Sequence, residues 1–168
     1  TNHSYFNLDG AKNIANHNLV VNCGKVLPVD KNGIPISKPV STKELALDFK
    51  NSRKLNNNGK PIEIDHNFCI SNSRQNLRKN AIVSAKNISL ELLSTEPGLQ
   101  IYTGKGLDSG NDKGWGNLPY KEFSGIALEP QIWPDSPNQV GFPNPYLRPN
   151  EKYKHHTRIK FGDSNNKK

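Results

Sequence analysis

The chain has 168 residues, with 23 Lys and Arg against 15 Asp and Glu, a net charge of +8, and 33% hydrophobic residues. That length suits one compact domain with a lean core, and no run approaches the roughly 18 apolar residues of a membrane helix. The basic residues scatter, with local density only over 152–160 and at Lys167-Lys168. The excess therefore reads as a Lys- and Asn-rich surface that keeps a sheet protein in solution, not as a nucleic-acid interface, which needs a clustered patch to release counterions.

In chain order, residues 1–8 read as a half-buried strand at the start of the sequence, with Phe6 and Leu8 on one side. Short alternating apolar runs follow at 18–23, 25–29, 62–70, 81–86, 88–95, 99–104, 123–129 and 153–161, separated by Gly, Pro and Asn. That pattern predicts an all-β, antiparallel protein. Helical periodicity is confined to short turns at 42–49 and 134–138, and twelve prolines fit loops and edge strands better than helix interiors. Residues 1–161 are expected to form one domain, and 162–168 a polar, frayed tail. A strand at residue 1 needs partners nearby in sequence, so part of the sheet is expected to be absent.

Alternation on the strands singles out candidate functional side chains. On the first strand His3, Tyr5 and Asn7 share a polar face. An imidazole there can exchange a proton near neutrality, although strand geometry alone is satisfied by a structural histidine. On the run 123–131, Phe123, Gly125, Ala127, Glu129 and Gln131 share a face, opposite Ser124, Ile126, Leu128 and Pro130. Small neighbours leave Glu129 approachable, and desolvation there would raise its proton affinity, as a general base requires; a solvent-facing edge glutamate is the plain alternative. Over 62–70, Ile64, His66, Phe68 and Ile70 form the apolar side, so Asp65 and Asn67 emerge opposite and His66 packs. Gln100 shares a face with Tyr102 and offers both donor and acceptor to a hydroxyl. No metal site is expected, because His155-His156 diverge on a strand and Cys23 and Cys69 lack zinc spacing; both cysteines read as reduced thiols. Gly104-Lys105-Gly106 lacks the strand–helix context of a phosphate loop.

The motifs carry more than spacing. Thr1-Asn-His-Ser-Tyr-Phe-Asn-Leu8 closely resembles a signature of the aldose 1-epimerases, the galactose mutarotases. Leu27-Pro-Val-Asp30, Gly33-Ile-Pro35, Leu47-Asp-Phe49, Asp65-His-Asn-Phe68, Glu96-Pro-Gly-Leu-Gln100 with Tyr102-Thr-Gly104, and Ala127-Leu-Glu-Pro-Gln131 with Pro134-Asp-Ser-Pro-Asn138 are similar to further family blocks, in family order. Phe142-Pro143 and 147–153 extend the likeness almost to the end.

The resemblance implies a galactose mutarotase-type antiparallel β-sandwich that interconverts the α and β anomers of free aldoses such as galactose or glucose, in the cytoplasm, without cofactor or metal. By motif position it implies His3 as general acid on the ring oxygen, Glu129 as general base on the anomeric hydroxyl, and Asp65 and Gln100 as holders of sugar hydroxyls, with Tyr5 shaping the pocket. It also implies that the chain corresponds to roughly the second half of the family fold, with the N-terminal half missing as a partner and the chain alone poorly active. Competing readings are a hexose-phosphate epimerase of the same fold, which would need a cationic pocket; a sugar-binding module that lost the chemistry; and a nucleic-acid binder with salt-dependent retention.

Overall fold

The computed structural model describes residues 1–164. Thirteen strands form three sheets: β1 (Tyr5–Phe6), β2 (Asn18–Val21), β3 (Lys25–Val26), β4 (Val40–Ser41), β5 (Arg53–Lys54), β6 (Asn56–Asn57), β7 (Lys60–Pro61), β8 (Asp65–Cys69), β9 (Arg78–Ala85), β10 (Ile88–Ser94), β11 (Gly98–Tyr102), β12 (Ile126–Gln131) and β13 (Thr157–Asp163). The first sheet has the order β1-β12-β11-β8-β3-β4 and the second β13-β10-β9-β2-β5, while β6 and β7 form a small separate ribbon. All the ladders are antiparallel.

Period-two alternation explains how the layers meet. From the first sheet, Val26, Phe68, Leu99, Ile101, Ile126 and Leu128 turn inward and join Leu19, Val21, Ala81, Val83, Leu90 and Leu92 of the second sheet in one core. The side chains between them on the first sheet must point away from that core, which gives this sheet a second, outward face. At one end of that face Leu27, Cys69 and Trp133 make a smaller apolar cluster with Phe142, and the indole Nε1 of Trp133 donates to the carbonyl of Pro97 at 3.0 Å. Both cysteines are buried free thiols, and Cys23 Sγ donates to the Cys69 carbonyl at 2.9 Å.

Some details follow the pattern read along the sequence and others differ from it. The turns at 42–49 and 134–138 stay turns, and the one helical element among the described residues is a 3₁₀ turn at Trp115–Asn117. Phe123, placed by alternation beside Glu129, instead packs against the main core, because its backbone turns through φ 61° before β12 begins at Ile126. β13 also runs beyond the expected end of the domain. Gly162 pairs with Ser89 and Asp163 with Ile88, so these two tail residues belong to the sheet, while 165–168 lie outside the described residues.

Candidate active site

The outward face of the first sheet collects the polar side chains in two cross-strand rungs. β1 pairs with β12 as Tyr5 opposite Ala127; β12 with β11 as Ala127 opposite Tyr102; and β11 with β8 as Tyr102 opposite Asp65. The first rung is therefore Tyr5–Ala127–Tyr102–Asp65. The next rung places Glu129 opposite Gln100 and Gln100 opposite Asn67. Continuing the β1 register two residues upstream sets His3 against Glu129. Antiparallel pairing thus gathers residues scattered from 3 to 129, because residues two apart on one strand meet residues two apart on the next.

The side chains follow that register. His3 Nε2 lies 3.3 Å from Glu129 Oε1, with the His3 side chain 50% exposed and that of Glu129 9% exposed. Gln100 Nε2 donates to Asp65 Oδ1 at 2.7 Å, so the two candidate hydroxyl-holding groups are oriented by each other. Tyr5 and Tyr102 lean across the small Ala127 until their ring centroids are 6.2 Å apart, edge to face. Asn67 completes its rung but is fully buried beside Cys69. The structure therefore brings together His3, Glu129, Asp65 and Gln100, with Tyr5 beside them, on one open face. Asn7 parts from the group: its side chain donates to the carbonyls of Ala11 and Ser124 and closes a turn.

Burial decides the electrostatics. Loss of water raises the proton affinity of Glu129, His3 opposes this, and the nearby charge of Asp65 adds to it. Burial likewise pushes the Tyr5 phenol up, reinforced by Tyr102, Glu129 and Asp65, so Tyr5 stays a neutral hydroxyl. A carboxylate that is nearly dry, yet open on the side of an imidazole, can accept a proton while the imidazole supplies one. Among the described residues no cluster of three or more His, Cys, Asp or Glu could hold a metal ion, and no helix is long and apolar enough to cross a membrane.

Two further side chains bear on this arrangement. Tyr102 was legible as a neighbour of Gln100 but carried no role, since only the pairing of β11 with β12 shows that it faces Tyr5 and His3. His17, fully buried, accepts a hydrogen bond from the Leu8 amide at Nε2 over 2.8 Å and ties the segment after β1 to the start of β2. Nothing in its spacing announces this.

Comparison with known proteins places this arrangement. Residues 1–160 match the profile of the aldose 1-epimerase family. The chain belongs to that family. It is 40% identical over 167 residues to the galactose mutarotase of Mus musculus and 38% identical to that of Homo sapiens, each alignment covering 96% of this chain and 48% of the relative. The aldose 1-epimerase of Escherichia coli K12 is 34% identical over 173 residues, covering 96% of this chain and 49% of the relative. The chain thus spans about half the length of the curated relatives it matches. Among solved structures, the GalM/aldose epimerase homologue of C. elegans superposes with a TM-score of 0.84 at 25% identity, over 96% of this chain and 50% of that one. The galactose 1-epimerase of Lactobacillus acidophilus shares the fold with a TM-score of 0.67 at 23% identity, over 95% and 47% of the two chains. The antiparallel β-sandwich of the aldose epimerases is therefore the fold of this chain.

Proposed function

We propose that the protein is an aldose 1-epimerase that interconverts the α and β anomers of a free aldose such as galactose or glucose, with His3 and Glu129 as its proton-transfer pair. The observation that carries this reading is the 3.3 Å approach of His3 Nε2 to Glu129 Oε1 on the open face of the first sheet. In a pyranose, the ring oxygen and the anomeric hydroxyl are bonded to the same carbon, so an acid for one and a base for the other must stand close together. Glu129 takes the anomeric hydroxyl proton as the C1–O5 bond breaks, and His3 gives its proton to O5. The open aldehyde rotates about C1–C2. O5 then adds to the opposite face, returns its proton to His3, and the oxygen on C1 recovers a proton from Glu129, so the cycle leaves both residues as they began. Asp65 and Gln100, locked together at 2.7 Å, hold sugar hydroxyls during the rotation.

The other half of the fold is part of this proposal. β1 and β13 are edge strands of their sheets, on the same side of the sandwich, where Phe161 is 62% exposed and its ring lies 6.2 Å from that of Phe6. Two unpaired edges flanking an exposed apolar seam suit further strands, and the curated relatives are about twice the aligned length. The full-length gene product is therefore expected to speed the decay of optical rotation of freshly dissolved α-galactose or α-glucose, with the 168-residue chain alone much slower. Sugar phosphates are expected to be poor substrates. Calorimetric binding of the sugar by the full-length protein, without faster anomer exchange, would contradict an enzyme and leave a sugar-binding module.

A further inference from the structure

His3 precedes β1, outside the strand ladder, and half of its side chain is exposed. Contact with Glu129 at one nitrogen leaves the imidazole plane free to turn about that contact, whereas proton delivery to a ring oxygen needs a fixed direction. Two phenol rings supply the missing constraint. The Tyr5 ring lies 5.1 Å from that of His3, tilted by 53°, and the Tyr102 ring lies 6.3 Å away, nearly edge-on at 67°. Such edge-to-face pairs have preferred geometries because the ring edge is positive and the face negative.

The two tyrosines are not equivalent. Tyr5 lies on a two-residue edge strand, two residues after His3, so it can drift with His3. Tyr102 stands on β11, held on both sides by β12 and β8. Its hydroxyl is pinned as well, because the Gly106 amide donates to Tyr102 Oη at 2.6 Å. That closeness depends on the loop sequence. Gly104 turns the chain at φ +76°, a left-handed conformation that suits glycine, and a Cβ on Gly106 would stand 3.1 Å from the phenol oxygen.

We propose that Tyr102 is a positioning residue: anchored by the Gly106 amide, its ring carries the fixed geometry of the sheet interior to Tyr5 and His3 on the edge and sets the direction in which the imidazole delivers its proton. This rests on the acid–base reading of His3 and Glu129 given above.

The test uses the full-length protein, with kcat and KM for anomer exchange measured in Tyr102→Leu and Tyr102→Phe beside His3→Ala. Tyr102→Leu is expected to lose about 30-fold in kcat with KM changed less than about threefold, the size of effect expected from a small misplacement of a reacting group. Tyr102→Phe keeps the ring but loses the hydroxyl that the Gly106 amide holds, and is expected to lose an intermediate amount, about three- to tenfold in kcat. A KM rise at unchanged kcat would make Tyr102 a sugar contact and overturn the proposal, as would a Leu variant with normal kcat. A wild-type NMR spectrum without a cross-relaxation peak between the His3 and Tyr102 ring protons would overturn it even if the Leu variant failed to fold. Loss of activity in His3→Ala with none in Tyr102→Leu sinks the positioning role alone. Normal activity in His3→Ala sinks the acid–base reading beneath it.

Discussion

Glu129 shows how one position acquires a chemistry its residue type does not carry. On β12 it is flanked on its own face by Ala127 and Gln131 and faces Gln100 across the ladder, and burial removes the water that would otherwise stabilise its charge. The folded chain therefore holds its proton more tightly than an ordinary glutamate, and a base of raised proton affinity is a better acceptor near neutrality. In the proposed mechanism the ionised form of Glu129 is the active one, so activity is expected to fall as pH drops through that raised value, with the acid limb of kcat/KM above the usual glutamate range of about 4.3. The charge of Asp65 is one of the causes of the elevation. Asp65→Asn is accordingly expected to move the acid limb to lower pH while weakening sugar binding, and a pH–rate profile with an unmoved limb would contradict the assignment. The same elevation has a sign for stability. A carboxyl whose folded value is raised stabilises the fold at low pH, and that contribution is lost as pH rises through it, so the ionised Glu129 is a cost at neutrality.

Strand pairing is the element that turns separate motifs into a site. Ala127 lies fully buried between Tyr5 and Tyr102 on its rung, and its small side chain lets the two rings reach each other. Ala127→Leu is expected to force the rings apart, costing about 1–3 kcal/mol in chemical denaturation and lowering anomer exchange; unchanged stability together with unchanged exchange would refute the rung. His17 acts at the same scale. Its Nε2 accepts the Leu8 amide, which requires a neutral ring, and burial lowers its proton affinity. With a depressed folded value, the contribution is complete above the unfolded value of about 6.5 and is lost as pH falls below it. The melting temperature is thus expected to drop between pH 7 and 5, and His17→Gln, which keeps an acceptor, is expected to flatten that slope. Equal slopes would show that His17 is not the sensor.

Much at this scale was legible in the residues. The long strands β8 to β13 alternate over five or more positions, so their faces, including Asp65, Asn67, Gln100 and Glu129, follow from period two. The two-residue strands β4, β5, β6 and β7 hold a single period each, so no alternation marks them in the sequence. Phe123 misled because a backbone turn, invisible to alternation, resets the phase before β12. Tyr102 escaped because its partners are two strands distant, and only register reveals them.

At the scale of the molecule, the sandwich has one sheet face committed to the core and one left open for chemistry, with the Leu27–Cys69–Trp133 cluster closing one end of the open face. Its β1 and β13 edges lie together where the exposed Phe161 meets the half-buried Phe6. His3, the proposed acid, sits beside that seam, so strands added there would bear directly on its position. In the proposed mechanism His3 and Glu129 serve one sugar as acid and base. Exchange NMR on the two anomeric signals of galactose, with the full-length protein and its Glu129→Gln variant, tests it most directly. The variant is expected to bind galactose still but to lose at least about 100-fold in anomer exchange, the lower range for removal of a general base; exchange at close to the wild-type rate would rule out Glu129 as the base.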